Sequence, residues 1–132
     1  MSGLLMLDTN ALSAVMKARS PTLDQRLSIE PFCISVVTEA EIRFGLARRP
    51  QKVEFSTVAE DVLSRIDIRP WTSATARRYG PLRAELAALG KPLAPLDLMI
   101  AAHALAEGAT LITADRAFAQ VPGLATQDYQ QE

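Results

Sequence analysis

The strongest constraint on the fold of this chain is an alternation of short apolar runs with longer stretches in which apolar residues recur at helical spacing. Runs that are apolar on both faces are typical of the buried strands of a parallel sheet covered by helices. The pattern predicts strands over residues 4–7, 32–37, 66–71 and 109–113, with a weaker fifth near 124–126.

The stretches between these runs predict helices. They cover residues 9–17, a short stretch after Pro21, a segment that starts near Thr38, and residues 51–65, 74–89 and 95–107. The 51–65 helix places Phe55, Val58, Val62 and the following Ile66 on one apolar stripe. Gly80-Pro81 should kink or divide the 74–89 helix. Strands that alternate with helices predict an α/β fold, a three-layer α/β/α sandwich around a four- to five-stranded parallel sheet.

Length and composition are those of an ordinary globular protein. The 132 residues predict a single domain over 1–132, and 48% of them are hydrophobic. The apolar runs are far shorter than the roughly 20 residues of a membrane helix, and we expect no secretion signal because no basic segment and apolar stretch precede the first acidic residue. The one cysteine, Cys33, cannot form an internal disulfide, so we expect a buried reduced thiol and a cytoplasmic protein.

The charge balance does not by itself indicate nucleic-acid binding. Fourteen basic and fifteen acidic residues leave a net charge of −1. Several arginines are nevertheless grouped along the chain, at positions Arg43, Arg48, Arg49, Arg77, Arg78 and Arg83. Arginine suits phosphate, but such groups also occur as solvated helix faces and ion-pair partners. Composition leaves both interpretations open.

Four acidic residues lie where predicted strands end or predicted helices begin: Asp8, Glu41, Asp97 and Asp115. In an open parallel sheet, the carboxyl ends of the strands and the amino ends of the helices face the same edge, where ligands bind. We therefore expect the four carboxylates to lie at one end of the molecule.

Each of these acids also has a purely structural explanation. Asp8 and Asp115 could cap the helical segments that follow them, and Thr38 to Glu41 has the spacing of a capping box. Four carboxylates in one place, however, repel one another unless they are protonated or neutralised. An oxygen-only ligand set suits Mg²⁺ or Mn²⁺, so the group together indicates a divalent metal site.

Other catalytic chemistries find little support. The single histidine, His103, lies on the apolar side of the last helix, which is typical of a core imidazole. Cys33 lies within a predicted strand, so neither a Ser-His-Asp nor a Cys-His arrangement is credible. The chain has no glycine-rich phosphate-binding loop and no Cys/His pairs for zinc.

Segments of the chain resemble a known family. Asp8-Thr9-Asn10, the stretch SVVTEAEIRFG at 35–45, and the stretches PLDLMIAA at 95–102 and LITADRAF at 111–118 are similar to PIN-domain proteins. The similarity is closest to the VapC-type toxins of bacterial toxin–antitoxin pairs. It covers nearly the whole chain, with the motifs in the family's order and spacing.

The resemblance implies roles for particular residues. Asp8, Glu41 and Asp97 match the family's three principal acids, which bind Mg²⁺ or Mn²⁺, and Asp115 matches a fourth, more permissive position. Polar positions beside the acids, which orient metal, water or phosphate, are matched by Thr9, Asn10 and Thr113. Glu39 does not fit, because it lies about 200° around a helix from Glu41 and should point away.

The resemblance also implies an endoribonuclease that leaves a 5′-phosphate, an antitoxin that blocks the cleft, and a toxin homodimer. Residues 48–80 carry no motif, and we expect substrate or partner contacts there. Two alternatives stay open. A haloacid-dehalogenase-like phosphotransferase would use Asp8 as nucleophile, although such an enzyme requires a second aspartate at the position where this chain has Asn10. A non-catalytic α/β binding module would use the acids only as caps.

Overall fold

The computed structural model describes residues 3–130 and shows strands and helices in alternation. In chain order the elements are β1 (Leu5–Leu7), α1 (Thr9–Met16), α2 (Pro21–Leu27), β2 (Phe32–Ser35), α3 (Val36–Arg48), α4 (Val53–Arg65), β3 (Asp67–Arg69), α5 (Ser73–Ala88), α6 (Pro95–Glu107), β4 (Thr110–Ile112), a 3₁₀ helix (Arg116–Gln120) and β5 (Thr126–Gln127).

The five strands form one parallel sheet in the order β3-β2-β1-β4-β5. Leu7, the last residue of β1, is in register with Ile34 of β2 and Ile112 of β4, so these strands end at nearly the same level. The strand order reverses at β1, which has β2 on one side and β4 on the other. Ligands of open α/β sheets bind in the crevice beyond the strand ends at such a reversal.

Helices cover both faces of the sheet, because successive strand residues point to opposite sides. Leu5 and Leu7 pack with α1, α2 and α4 on one face, whereas Met6 packs with α5 and α6 on the other. The buried residues thus form two separate clusters, one on each side. This arrangement confirms the predicted three-layer α/β/α sandwich and its parallel sheet.

The boundary between β2 and α3 differs from the prediction. The strand ends at Ser35 and the helix begins at Val36, two residues before the predicted start at Thr38. The reason is local: the Ser35 hydroxyl accepts a hydrogen bond from the Val37 amide at 3.0 Å and caps the helix. The predicted capping box from Thr38 to Glu41 is therefore wrong, and Thr38 is fully buried within the first turn.

Three further predictions needed correction. The segment 66–71 contains only a short edge strand, β3, whose residues are partly or largely exposed. Helix α5 continues through Pro81, which lies on its exposed side, where water can solvate the carbonyl that loses its partner. In α4, Phe55 and Val62 of the predicted stripe do pack against the core, but Val58 is 43% exposed, and Ala59 and Leu63 are the fully packed residues of that face.

Within residues 3–130, no helix combines the length and the hydropathy that crossing a membrane requires.

Candidate active site

The candidate site lies at the carboxyl edge of the sheet, where the strand order reverses. Asp8 directly follows β1 and Thr113 directly follows β4. Because β1 and β4 are hydrogen-bonded neighbours that end in register, these two side chains meet at the edge. The Asp8 amide completes the arrangement by donating to the Ile112 carbonyl at 3.1 Å.

Asp8 is a buried carboxylate, with 5% of its surface exposed. Its Oδ1 accepts a hydrogen bond from the Ala11 amide at 2.8 Å, so the residue does cap α1, as one of the two interpretations predicted. Burial raises the pKa of Asp8, and the nearby charges of Asp115 and Glu41 raise it further. Hydrogen bonds from the Thr113 hydroxyl and the Ala11 amide act in the opposite direction.

Glu41 reaches the same place from α3. Its position in the second turn of that helix follows from the early start of α3 at Val36. The hydroxyl of Thr9, the first residue of α1, donates to Glu41 Oε1 at 2.5 Å. This bond joins α1 to α3 across 32 residues of sequence and holds one oxygen of the Glu41 carboxylate beside Asp8.

Asp97 enters from the opposite side, in the first turn of α6. Pro95 begins this helix, and no side chain among the described residues caps it. Burial raises the pKa of Asp97, and the charges of Glu41, Asp115 and Asp8 raise it further, in that order. Asp97 therefore lies within the electrostatic reach of all three other acids.

Asp115 is exposed and caps the 3₁₀ helix, since its Oδ1 accepts from the Ala117 amide at 2.9 Å. Its own amide donates to the Thr113 hydroxyl at 3.0 Å. Thr113 thereby contacts both Asp8 and the backbone of Asp115. Asn10 is exposed on α1 and lines the cavities on either side of it. All seven predicted site residues thus lie at one edge of the sheet.

The four acids form a donor set that suits a hard divalent cation. Their oxygens are the ligands that Mg²⁺ and Mn²⁺ prefer. Burial is the main cause of the raised pKa values of Asp8 and Asp97, and the neighbouring acids add a repulsion that a cation would relieve. Among residues 3–130, no three aspartate, glutamate, histidine or cysteine side chains are grouped closely enough to hold a metal ion between them. Mg²⁺ is commonly held by one or two carboxylates, with water and substrate phosphates completing its shell, so the residues present fit it.

Three residues that we expected to lie outside the site do so: Glu39, His103 and Cys33. Glu39 forms an ion pair with Arg43 at 2.7 Å. His103 is fully buried, and its Nδ1 lies 2.7 Å from the Ser35 hydroxyl. Cys33 is also fully buried, and burial raises the pKa of its thiol to about 12, so it is unreactive.

Two cavities flank α1 beside the acids. One has a volume of about 740 Å³ and includes Asp115 and Tyr129 in its lining, and the other has a volume of about 490 Å³ and includes Glu41. Both are also lined by the exposed face of α1, which sequence analysis did not single out. The signal was present as helical spacing, because Asn10, Ser13 and Lys17 lie at intervals of three and four residues.

Comparison with known proteins agrees with this geometry. A PIN domain family model matches residues 5–124. The tRNA(fMet)-specific endonuclease VapC of Shigella flexneri is 36% identical over 127 residues, which cover 94% of this chain and 96% of that protein. A chain of the DNA-bound VapBC structure from Salmonella typhimurium matches with a TM-score of 0.89 and 31% identity, covering 98% of this chain and 99% of that one.

A chain of VapBC2 from Rickettsia felis, bound to a fragment of its promoter DNA, matches with a TM-score of 0.86 and 29% identity over 94% of this chain and 97% of that one. The family model and these relatives span the same elements that carry Asp8, Glu41, Asp97 and Asp115. The chain therefore belongs to the PIN-domain family, among its VapC-type members.

Proposed function

We propose that this chain is a metal-dependent endoribonuclease that hydrolyses RNA phosphodiester bonds at the edge of its sheet and leaves a 5′-phosphate. The observation that carries the proposal is the convergence of Asp8, Glu41, Asp97 and Asp115, from separate elements, into one group whose charges perturb one another. Membership of the VapC-type ribonucleases supports the same reaction.

Each residue has a part in the proposed reaction. Asp8, Glu41, Asp97 and Asp115 would hold Mg²⁺ or Mn²⁺. A divalent ion bound there would lower the pKa of a bound water and would stabilise the negative charge on the phosphate and on the leaving oxygen. Thr9 orients Glu41, and Thr113 orients Asp8, through the hydrogen bonds described above. Asn10 faces the cleft with its amide exposed, where it can bind water or phosphate.

We further assign the chain to a toxin–antitoxin system. Its structural relatives are VapBC complexes, in which the VapC-type chain is found with a partner. An arginine from a partner protein would form ion pairs with the four carboxylates in the cleft. Large apolar side chains are exposed on α3 and α4, notably Phe44 at 62% and Val53 at 66%, and these provide surface for an antitoxin or for a second copy of the chain.

The alternatives from sequence analysis have less support. A haloacid-dehalogenase-like phosphotransferase would use Asp8 as nucleophile, but the residue two positions later is Asn10 and the chain matches the PIN-domain family over most of its length. A binding module with acids used only as caps explains Asp8 and Asp115. It does not explain Glu41 and Asp97, which cap nothing among the described residues.

The test is cleavage of labelled RNA by wild type and by Asp97→Asn. Because the Shigella relative is named for tRNA(fMet), that RNA is the first substrate to try. We expect wild type to cut it with Mg²⁺ or Mn²⁺ present, EDTA to stop the reaction, and Asp97→Asn to lose it by about a thousandfold or more. Undiminished cleavage in EDTA would contradict the proposed metal dependence. Undiminished cleavage by Asp97→Asn would contradict the proposed active site.

A further inference from the structure

A groove rich in basic side chains opens beside the acids. It is the cavity of about 490 Å³ between α1, α3 and α4. Five exposed cations line it: Lys17, Arg19, Arg48, Arg49 and Lys52. We call this cavity the basic groove. Its single acidic lining residue is Glu41, a member of the acid group, so the groove leads directly onto the candidate site.

No acidic side chain neutralises the five cations within the described part of the chain. None of them forms an ion pair or a side-chain hydrogen bond with any of residues 3–130, whereas Arg26, Arg43, Arg65 and Arg69 all form ion pairs. Basic residues elsewhere, such as Arg77 and Arg78, lie outside the groove. The groove therefore concentrates free positive charge in a chain whose net charge is −1.

Aromatic rings hold two of these cations in place. The Lys17 ammonium lies 5.3 Å from the centre of the Phe55 ring, and the Arg48 guanidinium lies 5.3 Å from the centre of the Phe44 ring. A cation over a ring keeps its N–H groups available to another ligand. These contacts orient the charges without neutralising them, which is the arrangement that an anion-binding surface requires.

The electrostatics of the site indicate which anion belongs there. A phosphodiester that approaches four carboxylates is repelled, and the net charge of the chain offers no general attraction. Cations close to the acids are therefore needed to attract a nucleic-acid substrate, because contacts to phosphates supply a large share of nucleic-acid affinity. Lys17 and Arg19 also line the cavity of about 740 Å³, so the positive charge continues across α1.

We infer that the basic groove binds the backbone phosphates that flank the bond to be cut, and so positions the RNA strand across the acids. This inference rests on the proposed function, because it takes the substrate to be RNA. It assigns a binding role to Arg48, Arg49 and Lys52, at the junction of α3 and α4, where sequence analysis found no motif.

The test compares two double variants that remove the same charge from different places. Arg48→Gln/Arg49→Gln removes two cations from the groove. Arg77→Gln/Arg78→Gln, the matched control, removes two adjacent exposed arginines from α5. Both are made in the Asp97→Asn background so that RNA stays intact. Binding of a labelled single-stranded RNA of mixed sequence is measured across a salt titration, after thermal melts show that both proteins fold.

We expect Arg48→Gln/Arg49→Gln to reduce the magnitude of the slope of log K against log salt concentration by about 1.4, because two phosphate contacts on a single strand are lost. The RNA affinity at 0.1 M salt should fall by about 20-fold. The control should leave both unchanged. Equal losses in the two variants, or no loss in either, would overturn the inference. So would unchanged RNA binding with lost binding of a poly-glutamate peptide, which would make the groove a peptide site.

Cleavage of tRNA(fMet) by the wild-type chain, run in parallel, separates this inference from the proposed function. If wild type cuts RNA and the groove variant binds it normally, the groove assignment fails and the nuclease assignment stands. If wild type cuts no RNA, the proposed function itself has failed.

Discussion

Asp8 and Asp97 are held in the folded chain at a cost in stability. Burial is the main reason that the pKa of each is raised, and their acidic neighbours add to it. A carboxylate whose pKa rises on folding is less stable as an ion in the native state than in the unfolded chain. Such strain is typical of functional sites, where stability is given up for chemistry.

Asp97→Asn should therefore stabilise the metal-free protein at neutral pH. The folded-state pKa of Asp97 lies above the ordinary value of 3.8, so the destabilisation is absent below about pH 3.8 and grows as the pH rises through the folded-state value. We expect the variant to melt a few degrees above wild type at pH 7 in EDTA, and this advantage to vanish near pH 3.8. A variant less stable than wild type at pH 7 would show that Asp97 is structurally favourable.

At the scale of elements, a buried hydrogen bond connects the two helices that carry Glu41 and Asp97. The Ser35 hydroxyl accepts a hydrogen bond from the Val37 amide and shares a second one, 2.7 Å long, with His103 Nδ1. His103 Nε2 lies 3.5 Å from the Glu107 carboxylate. Burial lowers the pKa of His103, so the imidazole is neutral at pH 7.

Ser35→Ala should cost more than the loss of an ordinary helix cap. Ser20 caps α2 by accepting from the Leu23 amide at 3.2 Å, and its hydroxyl has no second side-chain partner among residues 3–130, so Ser20→Ala is the matched control. We expect Ser20→Ala to lower the free energy of unfolding by about 1 kcal/mol. Ser35→Ala should lower it by about 2–4 kcal/mol, because His103 Nδ1 also loses its partner. Equal losses in urea denaturation would show that the bond between α3 and α6 adds nothing.

Helical and strand periodicity was enough to predict most elements, and the errors have local causes. The start of α3 was misplaced because Val36 and Val37 continue the apolar run of β2. The hydrogen bond from the Val37 amide to the Ser35 hydroxyl nevertheless starts the helix at Val36. In α4, Val58 was wrongly placed on the buried face and Ala59 was missed, because Ala59 offers little hydrophobic signal and yet permits close packing. Such contacts depend on neighbouring elements, which periodicity along one helix does not describe.

At the scale of the molecule, topology explains how much of the site was predictable. Parallel strands send Asp8 and Thr113 to one edge, and this follows from their place after apolar runs. The basic groove was harder to foresee, since Lys17 and Lys52 come from separate helices and become neighbours only when α1 packs beside α4. Grouped arginines in the sequence gave an incomplete guide, because Arg43 is used in ion pairs with Glu39 and Glu60.

The central claim is that carboxylates from separate elements hold one divalent site, and a thermal melt across a titration of Mg²⁺ or Mn²⁺ tests it most directly. An ion that binds only the folded chain raises its stability, by about 2.7 kcal/mol when its concentration is a hundred times Kd. We predict that the wild-type melting temperature rises with metal concentration and that Asp8→Asn and Asp97→Asn each abolish most of that rise. A wild-type melting temperature that does not respond to either ion, or a rise in both variants as large as that of wild type, would contradict the account.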